Sequence, residues 1–234
     1  MNERYRTGSG AGIGGFGDGG GHLRDAARGA ILADLTPVRP LPAPLRRAMV
    51  LLPAGFLLLA AQPFIYGLRG DAPVLGLYRL WGLSAAQSLL GLLFIAAALR
   101  EAVPGRMLKR GRLLLAIGAL VSVAVTFVTW QGSATLVPPG RVGFYWTVCF
   151  TRPVLIGFPV MAIALALAWR AYPLRAALVG ALAGLGAGLM TDAGWRTFCH
   201  VSDPVHVLSA HLAAVLALSG AGAAIAALLD RRRH

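Results

Sequence analysis

Six stretches of about 20 mostly apolar residues recur along this chain, at roughly 45–68, 73–99, 113–130, 153–169, 174–191 and 204–229. A helix that crosses the hydrocarbon core of a bilayer needs about 20 such residues, because lipid offers no partner for unpaired backbone groups. Of the 234 residues, 57% are apolar and 13% charged, against about 45–50% and about 25% in soluble domains. That composition excludes a disordered chain and argues against a soluble globular domain, while two cysteines are too few for a disulfide-stapled mini-fold. The sequence therefore predicts an all-α integral membrane protein, a six-transmembrane-helix bundle spanning 45–230. The fourth run can begin earlier, near Val142, with Pro153 kinking it or marking its first turn. Within the fifth, Gly180, Gly184 and Gly188 stand four apart, a small-residue stripe suited to close helix packing inside the bundle or to dimerisation.

The net charge of +13 and the pI near 11.4 invite a nucleic-acid reading, so the position of the charge decides its meaning. Seventeen of the 22 basic residues fall in the N-terminal tail, the second and fourth connections and the C-terminal tail. Four lie on the opposite side (Arg69, Arg141, Arg152 and Arg196) and Arg79 lies within a run. Basic residues mark the cytoplasmic side of membrane proteins, so both termini are expected in the cytoplasm. The charge then records orientation and attraction to anionic lipid, and no direct nucleic-acid binding is expected.

About 44 residues precede the first run, too many for the n-region of a secretory signal. Residues 1–21 are Gly-rich and read as a flexible tail. Gly10, Gly12 and Gly15 match G-x-G-x-x-G, but without the strand and helix that give that pattern its meaning. Residues 22–35 read as a cytosolic amphipathic helix: Leu23, Ala27, Ile31 and Leu35 repeat every four, with Leu32 beside them and Arg24, Asp25 and Arg28 opposite. A Pro-restricted arm follows to residue 44. Such a helix can lay its apolar stripe in a partner's groove, lie on the membrane surface or pack on the cytoplasmic loops.

Polar chemistry gathers in the two longer outward connections. The third contains Cys149; the fifth contains Cys199, His200 and His206, with His211 a little into the sixth run. Trp130, Trp146 and Trp195 are expected at the same interface level. The cysteines flank runs four to six, so a compact bundle could join them as a disulfide, which needs Cα atoms within about 7 Å. Alternatively Cys149 and Cys199, with His200 or His206, could form a soft N/S site for a metal ion. His206 and His211 are five apart, about 140° around an α-helix, and so are not expected to act as a pair. His211 within a span needs a partner, either in the bundle or at the same site. Carboxylates are absent from the centres of the runs, which argues against a proton-coupled transporter. No Ser-His-Asp, H-E-x-x-H, Walker or C-x-x-C pattern occurs, so no catalytic residue is assigned; the alternative would be a membrane thiol- or quinone-linked redox protein.

Several segments, in order, resemble the NrsF family of negative regulators of sigma factors. They are LADLTPVRPL at 32–41, EAVPGR at 101–106, Cys149 before the fourth span, and CHVSDP at 199–204 leading to His206 and His211. The likeness covers about 23–230; the entry to the fourth span, Phe150-Thr151-Arg152-Pro153, lacks the acidic residue that many relatives carry there. The resemblance implies a non-enzymatic, six-span anti-sigma factor of the bacterial inner membrane. It implies that an extracytoplasmic-function (ECF) sigma factor is the partner. Leu23, Ala27, Ile31, Leu32 and Leu35 are then candidates for its contact. Cys149 and Cys199 become sensor thiols for heavy-metal or oxidative stress, with no resident cofactor beyond a transient soft metal ion.

Overall fold

The computed structural model of the chain describes residues 19–34, 40–106, 108–130, 139–201 and 203–233. All regular structure among them is helical. One compact unit, ending at Leu41, contains α1 (Gly19–Asp34), and the residues from Pro42 onward form a second. Helix α1 starts three residues before the expected position. Ala27, Ile31 and Leu32 on it are exposed. Leu35 and the glycines at 10, 12 and 15 lie outside the described residues, as does the side chain of Leu23.

The second unit is built from α2 (Pro44–Tyr66), α3 (Ala72–Glu101), α4 (Gly111–Trp130), α5 (Val142–Trp169), α6 (Ala176–Trp195) and α7 (Pro204–Arg231). Among the described residues, α2, α3, α5, α6 and α7 are long and apolar enough to cross a membrane. Helix α4, 20 residues long, forms where the third run predicts a span, and its described apolar stretch is Leu113–Val125. Helix α5 does begin at Val142, which places Pro153 and Pro159 inside it. Cys149 is consequently on a helix and not in a loop.

Helix α6 is the axis of the bundle, buried from Val179 to Trp195 and packed against α3, α5 and α7. Its composition explains that position. A Cβ placed on Gly180 would sit 2.0 Å from the Gly222 carbonyl oxygen, and one on Gly184 would sit 2.1 Å from that of Leu218. On another face Gly186 meets Gly91 of α3 at comparably short range. The glycine stripe is thus used within the chain, letting backbones approach without intervening side chains. Substituting Gly184→Val should force α6 and α7 apart and destabilise the bundle by about 1–3 kcal/mol or more. Gly220→Ala, where an added Cβ meets nothing within 4 Å, should not. Thermal unfolding of the two variants in detergent compares them, and equal midpoints would contradict the packing role.

The end of the bundle with the Arg-rich connections is tied by a buried carboxylate. Glu101, 1% exposed, forms an ion pair with Arg175 and accepts a hydrogen bond from the backbone N–H of Leu108 at 2.5 Å. Arg175 also donates to the Leu108 carbonyl at 2.8 Å. The EAVPGR segment is therefore anchored to the α5–α6 connection, with Gly105 supplying a left-handed turn at φ +81°.

Candidate functional site

At the opposite end, the local sequence sets four side chains toward one point. Cys149 is presented by α5 and is fully buried. Cys199 follows the end of α6, where its N–H bonds the Trp195 carbonyl at 3.0 Å, so the chain makes one more turn beyond the helix. Asp203 then caps α7, its carboxylate accepting from the His206 N–H at 3.1 Å, with Pro204 in the first helical turn. This Asp-Pro start fixes His206 one turn into the helix.

The next six residues, Val207–Leu212, form a π turn. Its i→i+5 repeat overturns the separation expected from α-helical geometry: His206 and His211 lie on one side, with ring centroids 5.6 Å apart. One ligating atom from each of Cys149, Cys199, His206 and His211 lies within 4.8 Å of every other, and all four residues are buried. The sulfurs are 3.4 Å apart, and Cys199 Sγ is 3.5 Å from His206 Nε2. The sulfurs are unbonded, since a disulfide holds them at about 2.0 Å. His200 is not in the group; its ring packs against Tyr145 and Phe198 instead. The candidate ligand set thus keeps Cys149, Cys199 and His206 but takes His211 in place of His200.

Sequence reasoning missed the groups behind this cluster. Asp192 lies one residue beyond the expected end of the fifth run, yet α6 continues to Trp195 and buries it. Its carboxylate meets His211 Nδ1 at 2.7 Å and accepts from Gln87 Nε2 of α3 at 2.7 Å. Arg196, also buried, donates to Gln87 Oε1 at 3.1 Å. Burial pulls the Arg196 guanidinium down to about 10, opposed by the Asp192 charge, so it stays a cation at neutral pH. Asp192 and Arg196 are four apart, the spacing of a helical ion pair, and that was the available signal.

Around the thiols the wall is aromatic and apolar: Trp195, Tyr66 and Phe198 pack with centroid separations of 5.0–5.5 Å. Trp195 is fully buried within the bundle. Trp146 remains partly exposed and donates to Ser209 Oγ at 2.9 Å, while the side chain of Trp130 lies outside the described residues. The hydrogen bond with Cys149 holds the Cys199 thiol well below the usual range, against the upward push of burial. A thiolate there is the form that binds soft metals and attacks oxidants.

The chain matches none of the curated proteins and none of the solved structures with which it was compared. The family model of NrsF, described as negative regulator of sigma F, matches residues 32–231, from the last turn of α1 to the end of α7. The match takes in the EAVPGR anchor, both cysteines and both clustered histidines, and on that extent the chain belongs to the NrsF family of negative regulators of sigma F.

Proposed function

We propose that the protein is a non-enzymatic anti-sigma factor of the bacterial inner membrane. It holds an ECF sigma factor at the cytoplasmic face and releases it when Cys149 and Cys199 meet heavy metal or oxidant. The observation that carries this reading is the meeting of the chain's only two cysteines, fifty residues apart, at 3.4 Å in a buried site. The proposed topology has six spans, with α4 as the third and both termini cytoplasmic. It follows the distribution of basic residues and puts the thiols at the outer end of the bundle.

Each signal changes the same contacts. An oxidant that accepts two electrons converts the thiols to a disulfide and releases two protons, drawing the sulfurs together by about 1.4 Å from their present 3.4 Å. A soft metal ion instead draws in histidine and spreads the sulfurs to about 3.8 Å, the edge of a tetrahedron with bonds of about 2.3 Å. Either event changes the spacing between α5 and the α6–α7 connection, and α6, buried from Val179 to Trp195, packs against α3, α5 and α7. To move a two-state population from 1:99 to 99:1 a signal must discriminate by about 5.5 kcal/mol, within the reach of metal–thiolate or disulfide chemistry. The exposed Ala27, Ile31 and Leu32 on α1, with Leu23 and Leu35, supply the apolar stripe for the sigma factor.

Affinity capture of the intact protein from native membranes tests the reading. A sigma factor should co-purify from untreated cells and be lost after cadmium or a thiol oxidant; recovery of none from untreated cells would sink the proposal. Deleting 22–44 should abolish co-purification, and persistence of binding would move the contact to the cytoplasmic loops.

A further inference from the structure

We infer that Cys149, Cys199, His206 and His211 form a closed, four-ligand tetrahedral site for a borderline or soft divalent cation of the zinc–cadmium type, with Asp192 orienting His211. The inference rests on the functional reading above only for its regulatory meaning; the site itself rests on geometry. Tetrahedral bonds of about 2.3 Å to sulfur and about 2.0–2.1 Å to nitrogen put ligand atoms about 3.3–3.8 Å apart. The S–N separation of 3.5 Å already has that size, and the S–S separation of 3.4 Å is within about 0.4 Å of the roughly 3.8 Å that two sulfurs need. The longest separation in the set is within 4.8 Å, so about an ångström of closure completes the shell.

The second line of support is His211 itself. Its Nδ1 is engaged by the Asp192 carboxylate at 2.7 Å, and its buried Nε2 has no hydrogen-bond partner among the described residues. A histidine fixed at one nitrogen by a carboxylate, with the other nitrogen left toward thiols, is the arrangement that metal-binding histidines adopt. Asp192 is in turn held by Gln87, so the orienting carboxylate is itself positioned from α3. The π turn supplies the remaining condition. A regular α-helix would carry His211 about 140° away from His206, whereas the extra residue per turn brings it back, and such turns concentrate at functional sites. Two thiolates and two imidazoles select zinc or cadmium over magnesium or calcium, which prefer oxygen ligands. Coordination releases to solvent whatever protons the thiols still carry.

The test uses the full chain purified in detergent, with no sigma factor present, and Co²⁺, Zn²⁺ and Cd²⁺ as probes. One ion should bind per chain, Co²⁺ should show thiolate charge-transfer and tetrahedral ligand-field bands, and X-ray absorption of the zinc form should give two sulfur and two imidazole scatterers. Asp192→Asn should weaken Co²⁺ binding about 10–100-fold; His211→Ala should weaken it further and change the tetrahedral bands, while His200→Ala should leave both unchanged. A zinc shell lacking the two imidazoles, or His211→Ala with wild-type bands and affinity, would overturn the inference. The absorption experiment needs no variant, so a misfolded mutant cannot obscure the answer. Binding of this kind without sigma-factor release would fail the functional reading alone; release by oxidant from a chain that binds no ion would fail the site alone.

Discussion

Cys199→Ser is expected to leave capture of the sigma factor intact and to abolish its release by cadmium or oxidant. The substitution removes one atom's chemistry and little else. Serine is close in size, so the apolar wall around Trp195 and Phe198 keeps its shape, and the N–H bond to the Trp195 carbonyl is a backbone contact that survives. What disappears is a sulfur 3.4 Å from Cys149 and 3.5 Å from His206. A hydroxyl forms no disulfide, and its hard oxygen is a poor ligand for a soft cation. Losing one of two thiolates should remove most of the discrimination of about 5.5 kcal/mol that a full population swing demands. The treated membranes should therefore retain the sigma factor at the untreated level, where the wild type is expected to lose nearly all of it. Cys149→Ser should behave alike, because neither thiol can bridge alone. Quantifying sigma factor captured before and after treatment settles it; wild-type release by both serine variants would remove the cysteines from the switch.

Why one part of this site could be read from sequence and another could not has a physical explanation. Apolar run length and the four-residue glycine spacing are local signals, and both survive into the structure because backbone burial and close packing leave few alternatives. Cys149, Cys199 and His206 were legible for a similar reason: they are the scarce polar groups beside long apolar runs. His211 was legible only as a group needing a partner in the bundle or at the same site, since a 3.6-residue period sets it apart from His206, and it is the π turn at Val207–Leu212 that brings the two together. Pro153 left two helix starts open, and the earlier one is adopted: the helix runs eleven residues ahead of the proline, from Val142, and carries Cys149 into the bundle. Asp192 was hidden by its own polarity, because a charged residue at the edge of an apolar run is counted as the run's end. The enclosure of Trp195 by neighbouring Tyr66 and Phe198 is a tertiary contact that residue type alone does not show.

Asp192→Ala should produce the largest loss of stability of any single change near the site, about 3–5 kcal/mol, because it breaks a buried charge pair by removing one partner. His211 would lose the carboxylate at its Nδ1, Gln87 would lose the acceptor at 2.7 Å, and the buried Arg196 cation would lose the Asp192 charge that opposes its burial. At about 2–4 °C per kcal/mol for a chain of this size, the unfolding midpoint in detergent should fall by about 6–20 °C. Asp192→Asn should cost less, since the amide oxygen can still accept from Gln87 while the charge is gone. The coupling is checked by a double-mutant cycle with His211→Gln. Residues in one hydrogen-bonded network show interaction energies of about 0.5–3 kcal/mol, so the double variant Asp192→Asn/His211→Gln should lose less than the two single variants together. Strict additivity would mean that Asp192 and His211 act separately. The carboxylate could then no longer be held to orient the histidine, and the path from the thiols through His211 and Asp192 to Gln87 on α3 would be broken between His211 and Asp192.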